Sequence, residues 1–220
     1  MKIQLKTDFL DYYDHWFDRE GDIVFERMSR GGMGRREMFG FLKSLGLNSP
    51  EVGIVKEVFP KLRERYSDIP DGIMRIVSVV VYLDEMAHRG EGKERMSAEK
   101  ALEKHPDNFC SEFIPTSPGE GSVSLRYLQI GDRKWWLRYS SIDDWRSNYG
   151  DKAWVEVLAE AGRGYHPKIK EPMFAVDFVA AKKIYAIDFN ISPGLSGAAV
   201  DNILTGREVV DLIKGFYERA

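Results

Sequence analysis

The stretch from Phe174 to Gly197, FAVDFVAAKKIYAIDFNISPGLSG, constrains this chain more than any other part of it. FAVDFV and IYAIDF are rich in β-branched and aromatic residues, and only Ala180 to Lys183 separates them. The two runs therefore predict an antiparallel hairpin. With Val179 opposite Ile184, Phe174, Val176 and Phe178 share an apolar face with Tyr185, Ile187 and Phe189. Asp177, Asp188 and Asn190 then project together from the other face, where Ala175 and Ala186 leave room beside them. A slip of one residue would put the apolar set of one strand on the polar face of the other, so the pattern selects its own register. Asp is depleted in strands, and two of them mid-strand on one face, within reach of a shared hard cation, outline a metal–phosphate site. The plainer alternative is a wet outer face of a half-exposed hairpin.

VDF followed across a short hairpin by IDFNISPGLSG resembles the metal-binding end of ATP-grasp enzymes, in which an acidic residue on one strand and an acidic-x-Asn pair on the next hold magnesium against ATP phosphates. The resemblance implies that Asp177, Asp188 and Asn190 are the metal ligands. Upstream, RYLQIGDRKWWLRYSSIDDWRSN, from Arg126 to Asn148, resembles the family's preceding hairpin and loop, and implies that Arg138, Arg146 and Asn148 approach the phosphates. Ala153 to Gly162 reads as a helix before the metal hairpin, and Thr205 to Arg219 as a helix after it. Earlier still, IVSVVVYLDE reads as a buried strand, HRGEGK as a loop, SAEKALEKH as a helix capped by Ser97, and FCSEFI as a second strand. In the family such a second strand leads into the adenine-binding hinge, which implies that Glu112, Phe113 and Ile114 hold the base. IVSVVVYLDE carries no lysine where the family has one, and Lys93 in the following loop is the candidate to replace it.

The remaining sequence narrows the classes. With 220 residues, 43% hydrophobic and 30% charged, the chain can bury a sizeable core. A net charge of −3 offers no global attraction for nucleic acid, and no apolar run approaches the roughly 18 residues of a membrane span. The N-terminus lacks an apolar signal core and Cys110 is alone, which points to a reducing cytoplasm. No histidine falls in a zinc or HExxH pattern. TSPGEGS at 116–122 has the composition of a connection, dividing a reduced N-terminal lobe, 1–115, from a metal and nucleotide lobe, 116–220. Within the first lobe, Asp11 to Arg19 is helical or loop-like, Ile23 to Arg27 reads as a strand, REMFGFLKSLG as a helix stopped by Gly46, and Val55 to Tyr66 as another helix. SRGGMGRRE is a basic turn, or else a docking patch for an anion, since neither a Walker motif nor GxGxxG is present.

These readings combine into an α+β, two-lobed ATP-grasp-like fold with antiparallel sheets flanked by helices. The resemblance implies ATP and Mg2+ as cofactors and ligation of a carboxylate to an amine through an acylphosphate, on a small-molecule or peptide-like acidic substrate. Two alternatives stand beside it. One is a non-catalytic relative that keeps the fold to bind a nucleotide or a partner. The other is a nucleic-acid module using the basic turn, the Trp135–Trp136 pair, Arg126, Arg133, Lys134 and Arg138, which the net charge does not favour.

Overall fold

The computed structural model describes residues 3–7, 23–27, 33–68, 77–87, 92–116, 121–162, 167–195 and 199–219, with side chains of 3–7, 23–27 and Asp201 left aside. Asp11 to Arg19, Arg30, the start of HRGEGK, the centre of TSPGEGS and the Ser196–Gly197 end of the hairpin motif lie outside the described residues. The chain separates into two compact units, one made of 33–117 and 181–187, the other of 1–32, 118–180 and 188–220.

The first unit holds a four-stranded antiparallel sheet in the order β3 (Val52–Ile54), β6 (Phe109–Glu112), β4 (Ser78–Tyr82) and β5 (Lys93–Ser97). Helix α2 (Val55–Arg65) and helix α3 (Ala98–Lys104) bury Val55, Val58, Leu62, Ala98 and Ala101 against Val79, Val81, Met96 and Cys110. Ser97 caps α3 by accepting from the Lys100 amide, as its sequence requires. Helix α1 (Arg35–Ser44) buries Met38, Phe39 and Leu42, with Phe39 against Phe109. It ends where Gly46, at φ 75°, takes the left-handed turn that glycine tolerates. Burial pushes the Cys110 thiol up to about 12, so it is a packing residue without thiolate character.

The second unit holds a five-stranded sheet in the order β11 (Ile184–Ile191, of which 188–191 belong to this unit), β10 (Met173–Ala180), β7 (Ser122–Ile130), β8 (Arg133–Ser141) and β9 (Ala153–Glu160). The hairpin foreseen from 174–191 is present, its strands adjacent and joined by three residues, a span that only antiparallel pairing permits. A separate two-stranded parallel sheet pairs β1 (Ile3–Thr7) with β2 (Ile23–Arg27). Helix α4 (Gly206–Arg219) lays Val209, Val210 and Ile213 on one face of the large sheet, against Leu128, Ile130, Leu137, Met173 and Ala175. The opposite face is aromatic: Tyr127, Trp136, Phe174, Phe178 and Phe189 form a chain of ring contacts 5.3 to 6.2 Å apart.

Two expectations change here. The hairpin does not have one greasy face and one wet face, because β10 is an interior strand buried from Met173 to Val179. Ala153 to Gly162 is not a helix: Val155 and Val157 point into the aliphatic core while Trp154 and Glu156 face outward, which is the period-two alternation of a strand, broken by a bulge at Leu158. Pairing with β8 overrides the helix propensity of its Ala, Glu and Leu residues.

Candidate functional site

The register of the five-stranded sheet decides which side chains meet. Asp177 on β10 stands opposite Arg126 on β7, and Tyr139 on β8 lies on the same face, opposite Ser124. Arg126 grips Asp177 as a fork, Nε donating to Oδ1 at 2.7 Å and Nη2 to Oδ2 at 2.8 Å, while Nη1 donates to the Tyr139 hydroxyl at 3.2 Å. The guanidinium also lies over the Tyr139 ring, 4.7 Å from its centroid. Both members of the pair are nearly buried, with side-chain exposures of 13% and 12%. Burial works against the charge on Arg126, but the carboxylate of Asp177 outweighs it, with a further contribution from Asp188, and raises the affinity of the guanidinium for its proton. Burial likewise raises Tyr139, against the pull of Arg126.

Asp188 and Asn190 join this face. They flank Phe189, whose ring meets Phe174 on the aromatic side 6.2 Å away, so alternation along β11 sends Asp188 and Asn190 to the side of Asp177. Asp188 Oδ1 accepts from the Phe189 amide at 3.1 Å. Asp177, Asp188 and Asn190 thus share one face, as the hairpin pattern predicts, and the partner that sequence reading missed is Arg126. It lies 51 residues from Asp177, and only the pairing of β7 with β10 brings the two together.

The other expected residues distribute differently. Arg138 stands opposite Leu125, which itself faces Phe178, so it occupies the aromatic face, opposite to Asp177. It approaches Glu156 at 4.0 Å, and its Nε is buried without a hydrogen bond among the described residues, as is Ser140 Oγ two residues along the same face. Arg146 and Asn148 belong to the loop between β8 and β9, and this loop is sewn to the Arg126 side of β7. Ser147 Oγ shares a 2.6 Å hydrogen bond with Ser124 Oγ, and Ser122 Oγ donates to the Asp144 carbonyl at 2.6 Å. Within the loop, Arg146 makes its own fork to Asp144 through Nε at 2.8 Å and Nη2 at 2.9 Å, and stacks 3.5 Å from the centroid of Tyr149. Asn148 is exposed.

Asp143 organises the same loop. It accepts from Ser141 Oγ at 2.9 Å and from the Lys152 amide at 3.1 Å, and the Ser141 bond, ahead of the amides, holds its carboxyl below the usual range. Its anchoring is therefore complete above the ordinary carboxylate range and is lost only as pH falls through the lowered value. Gly150 closes the turn at φ 99°, where an added Cβ would sit 2.3 Å from Asp143 Oδ1. Gly150→Ala is expected to loosen the loop without unfolding the sheet, so that the Lys152 amide exchanges hydrogen at least about tenfold faster. Unchanged exchange at that amide would show that the loop tolerates the methyl group.

In the other unit, Lys93 is half-buried and opens β5 opposite Tyr82. Glu112 is buried and its carboxylate is committed: it accepts from Arg65, from the Tyr66 hydroxyl at 2.7 Å and from the Glu51 amide at 3.3 Å. Burial, then that hydrogen bond, pushes Tyr66 up to about 12. Phe113 donates its amide to Ser78 and lies under Arg95, 3.9 Å from ring centroid to guanidinium, while Ile114 is half-buried. The described arginines of the basic turn are likewise used internally. Arg35, stacked on Tyr82, donates to the Ala87 carbonyl, and Arg36 pairs with Glu85 at 3.1 Å over Phe109.

Among the described residues no three His, Cys, Asp or Glu side chains group as a metal centre. A cation at the large sheet would instead be held by the hard oxygens of Asp177, Asp188 and Asn190, with the rest of its shell from outside the protein. That donor set fits magnesium. Each Asp177 oxygen accepts one bond from Arg126 and keeps lone-pair capacity for a second partner.

No family model and no curated protein matches this chain. Among solved structures, the ATP-grasp ligase PsnB complexed with minimal precursor is similar at a TM-score of 0.53 and 13% identity, over 84% of this chain and 60% of that one. This is an ATP-grasp fold. D-alanine–D-alanine ligase from Bacillus anthracis, complexed with ATP, is 13% identical over 92% of this chain and 72% of that one, at a TM-score of 0.49. A Chryseobacterium gregarium RiPP-associated ATP-grasp ligase, in complex with ADP and a leader and core peptide, is 14% identical over 94% and 67%, also at 0.49. The ATP-grasp fold here spans about three-fifths of the PsnB chain. No helix among the described residues is long and apolar enough to cross a membrane.

Proposed function

We propose that this chain is an ATP- and magnesium-dependent ligase that joins a carboxylate to an amine through an acylphosphate. The observation that carries the reading is the convergence of Asp177, Asp188 and Asn190 with Arg126 on one face of an ATP-grasp sheet. In this reading Asp177, Asp188 and Asn190 hold magnesium, which supplies charge neutralisation for the polyphosphate when bound. Arg126 fixes the Asp177 carboxylate in place. The Arg146–Asn148 loop, tied to β7 through Ser124 and Ser147, offers a cation and an amide to the phosphate oxygens.

The substrate carboxylate oxygen attacks the γ-phosphorus as its bond to the bridging oxygen of ADP breaks. The amine nitrogen then attacks the acyl carbon, phosphate departs, and the nitrogen sheds a proton. Lys93 is the further cation proposed for this chemistry, whereas Arg138, on the opposite face of the sheet from Asp177, stands apart from it. Adenine is assigned to the stretch from Glu112 to Ile114. Because the Glu112 carboxylate is taken up by Arg65 and Tyr66, recognition there falls to the backbone and to Phe113. The division at about residue 115 into an N-terminal and a metal-binding lobe, and a cytoplasmic location, belong to the same proposal. A peptide-like substrate is in keeping with the PsnB complex with its minimal precursor, and its acidic character is part of the proposal.

Calorimetry with ADP tests this. Binding is expected only with magnesium present, and Asp188→Asn, which removes a charged oxygen ligand beside the polyphosphate, should weaken it by at least about tenfold. A parent protein that ignores MgADP, or a variant that binds it at parental strength, would remove the site as described.

A further inference from the structure

Arg126 is more than a cation-binding face requires. The carboxylate proposed as a metal ligand is already forked by a guanidinium, and Asp188 acts on that same guanidinium. Two carboxylates and one arginine leave this face with a net charge of −1 rather than −2.

We propose that Arg126 is a resident counter-ion that keeps Asp177 and Asp188 from taking up a divalent cation alone, so that the cation enters this site only together with the polyphosphate of a nucleotide. The inference rests on the nucleotide reading above and adds a rule about the order of ligands. A guanidinium forked to one of the carboxylates that would hold the cation would repel it across a nearly buried, weakly screened site, and offset much of the attraction of one carboxylate. The guanidinium cannot yield its proton to relieve the conflict. A polyphosphate brings several negative charges and further oxygen ligands, which restores a favourable balance. The Tyr139 ring and hydroxyl hold the guanidinium over Asp177 in the meantime. A fork that served only to bind β7 to β10 would affect stability when removed, and would leave cation affinity where it was.

Titration with Mn2+ alone, followed by electron paramagnetic resonance of the free ion, separates these roles. The parent is expected to bind on the order of 1 mM or more weakly. Arg126→Met should bind at least about tenfold more tightly. Arg126→Lys, which keeps the charge and loses the fork, should stay at the parental level, and adding Asp188→Asn to Arg126→Met should abolish the gain. Binding by the parent much tighter than about 1 mM overturns the proposal, as does parental affinity in Arg126→Met protein that still melts cooperatively. If Arg126→Met does not fold, the parent and Arg126→Lys titrations decide, and a tenfold gain in the lysine variant counts against it. Absence of MgADP binding by the parent, with the Mn2+ gain intact, sinks the nucleotide reading and leaves Arg126 as the counter-ion of a different site.

Discussion

Arg126→Met is expected to destabilise the chain by about 3–5 kcal/mol, because it strands the Asp177 carboxylate in a nearly buried position with its fork partner gone. The double variant Arg126→Met/Asp177→Leu should recover most of that loss. Two apolar side chains of similar reach can pack on a face that already holds Ala175 and Leu128, and no charge is then left uncompensated. MgADP binding should nevertheless be absent from the double variant. Denaturant unfolding of the parent, both singles and the double gives the coupling directly. A double variant no more stable than the worse single would mean that the pair is held by packing around it rather than by mutual compensation.

Gly131→Ala is expected to be among the most damaging glycine substitutions in the second unit. Gly131 turns the β7–β8 hairpin at φ 60°, and a Cβ there would lie 2.4 Å from the carbonyl oxygen of Leu212 in helix α4. The left-handed conformation alone costs an alanine about 1–2 kcal/mol. The helix cannot yield cheaply, because Val209, Val210 and Ile213 anchor it in the aliphatic core. Overpacking of that kind adds about 1–3 kcal/mol, so a total near 2–5 kcal/mol should lower Tm by roughly 5–15 °C. Gly162→Ala, with nothing among the described residues within 4 Å of its new methyl group, is the matched control and should melt with the parent. Equal melting of the two variants would contradict the close approach of helix and turn.

What could be read from residues alone follows a physical division between local and distant causes. The 174–191 hairpin was legible because its β-branched and aromatic runs, its short connection and the Asp-x-Asn spacing are all local. Helices α1 to α4 were legible from their periodicity, with Ser97 and Gly46 marking ends. β9 was not, because the Ala, Glu and Leu residues of AWVEVLAE are good helix formers and pairing with β8 decides for the strand. The Arg126–Asp177 fork was hidden because it depends on which residues of two distant strands fall opposite each other. The same pairing separates Arg138 from Asp177, which the resemblance had associated with one set of phosphates. Glu112 shows a third kind of limit. Its position in the strand was legible, but its commitment to Arg65 and Tyr66 depends on how helix α2 ends beside it.

β9 is the outer strand of its sheet, and its outward face presents Trp154 and Leu158 at 46% and 50% exposure. Such an edge invites other chains to add to it and grow into aggregates. Glu156, between those apolar residues, and Glu160, beyond the bulge at Leu158, bring negative charge to this strand, so two edges brought together would place like charges in opposition. The hydrogen bond from Arg133, above all, keeps the Glu160 carboxyl below its usual range, so this charge survives mild acid and is lost only when pH falls through the lowered value. The colloidal behaviour of the protein on acidification is thereby tied to an arginine on the neighbouring strand, remote from any chemistry at Asp177.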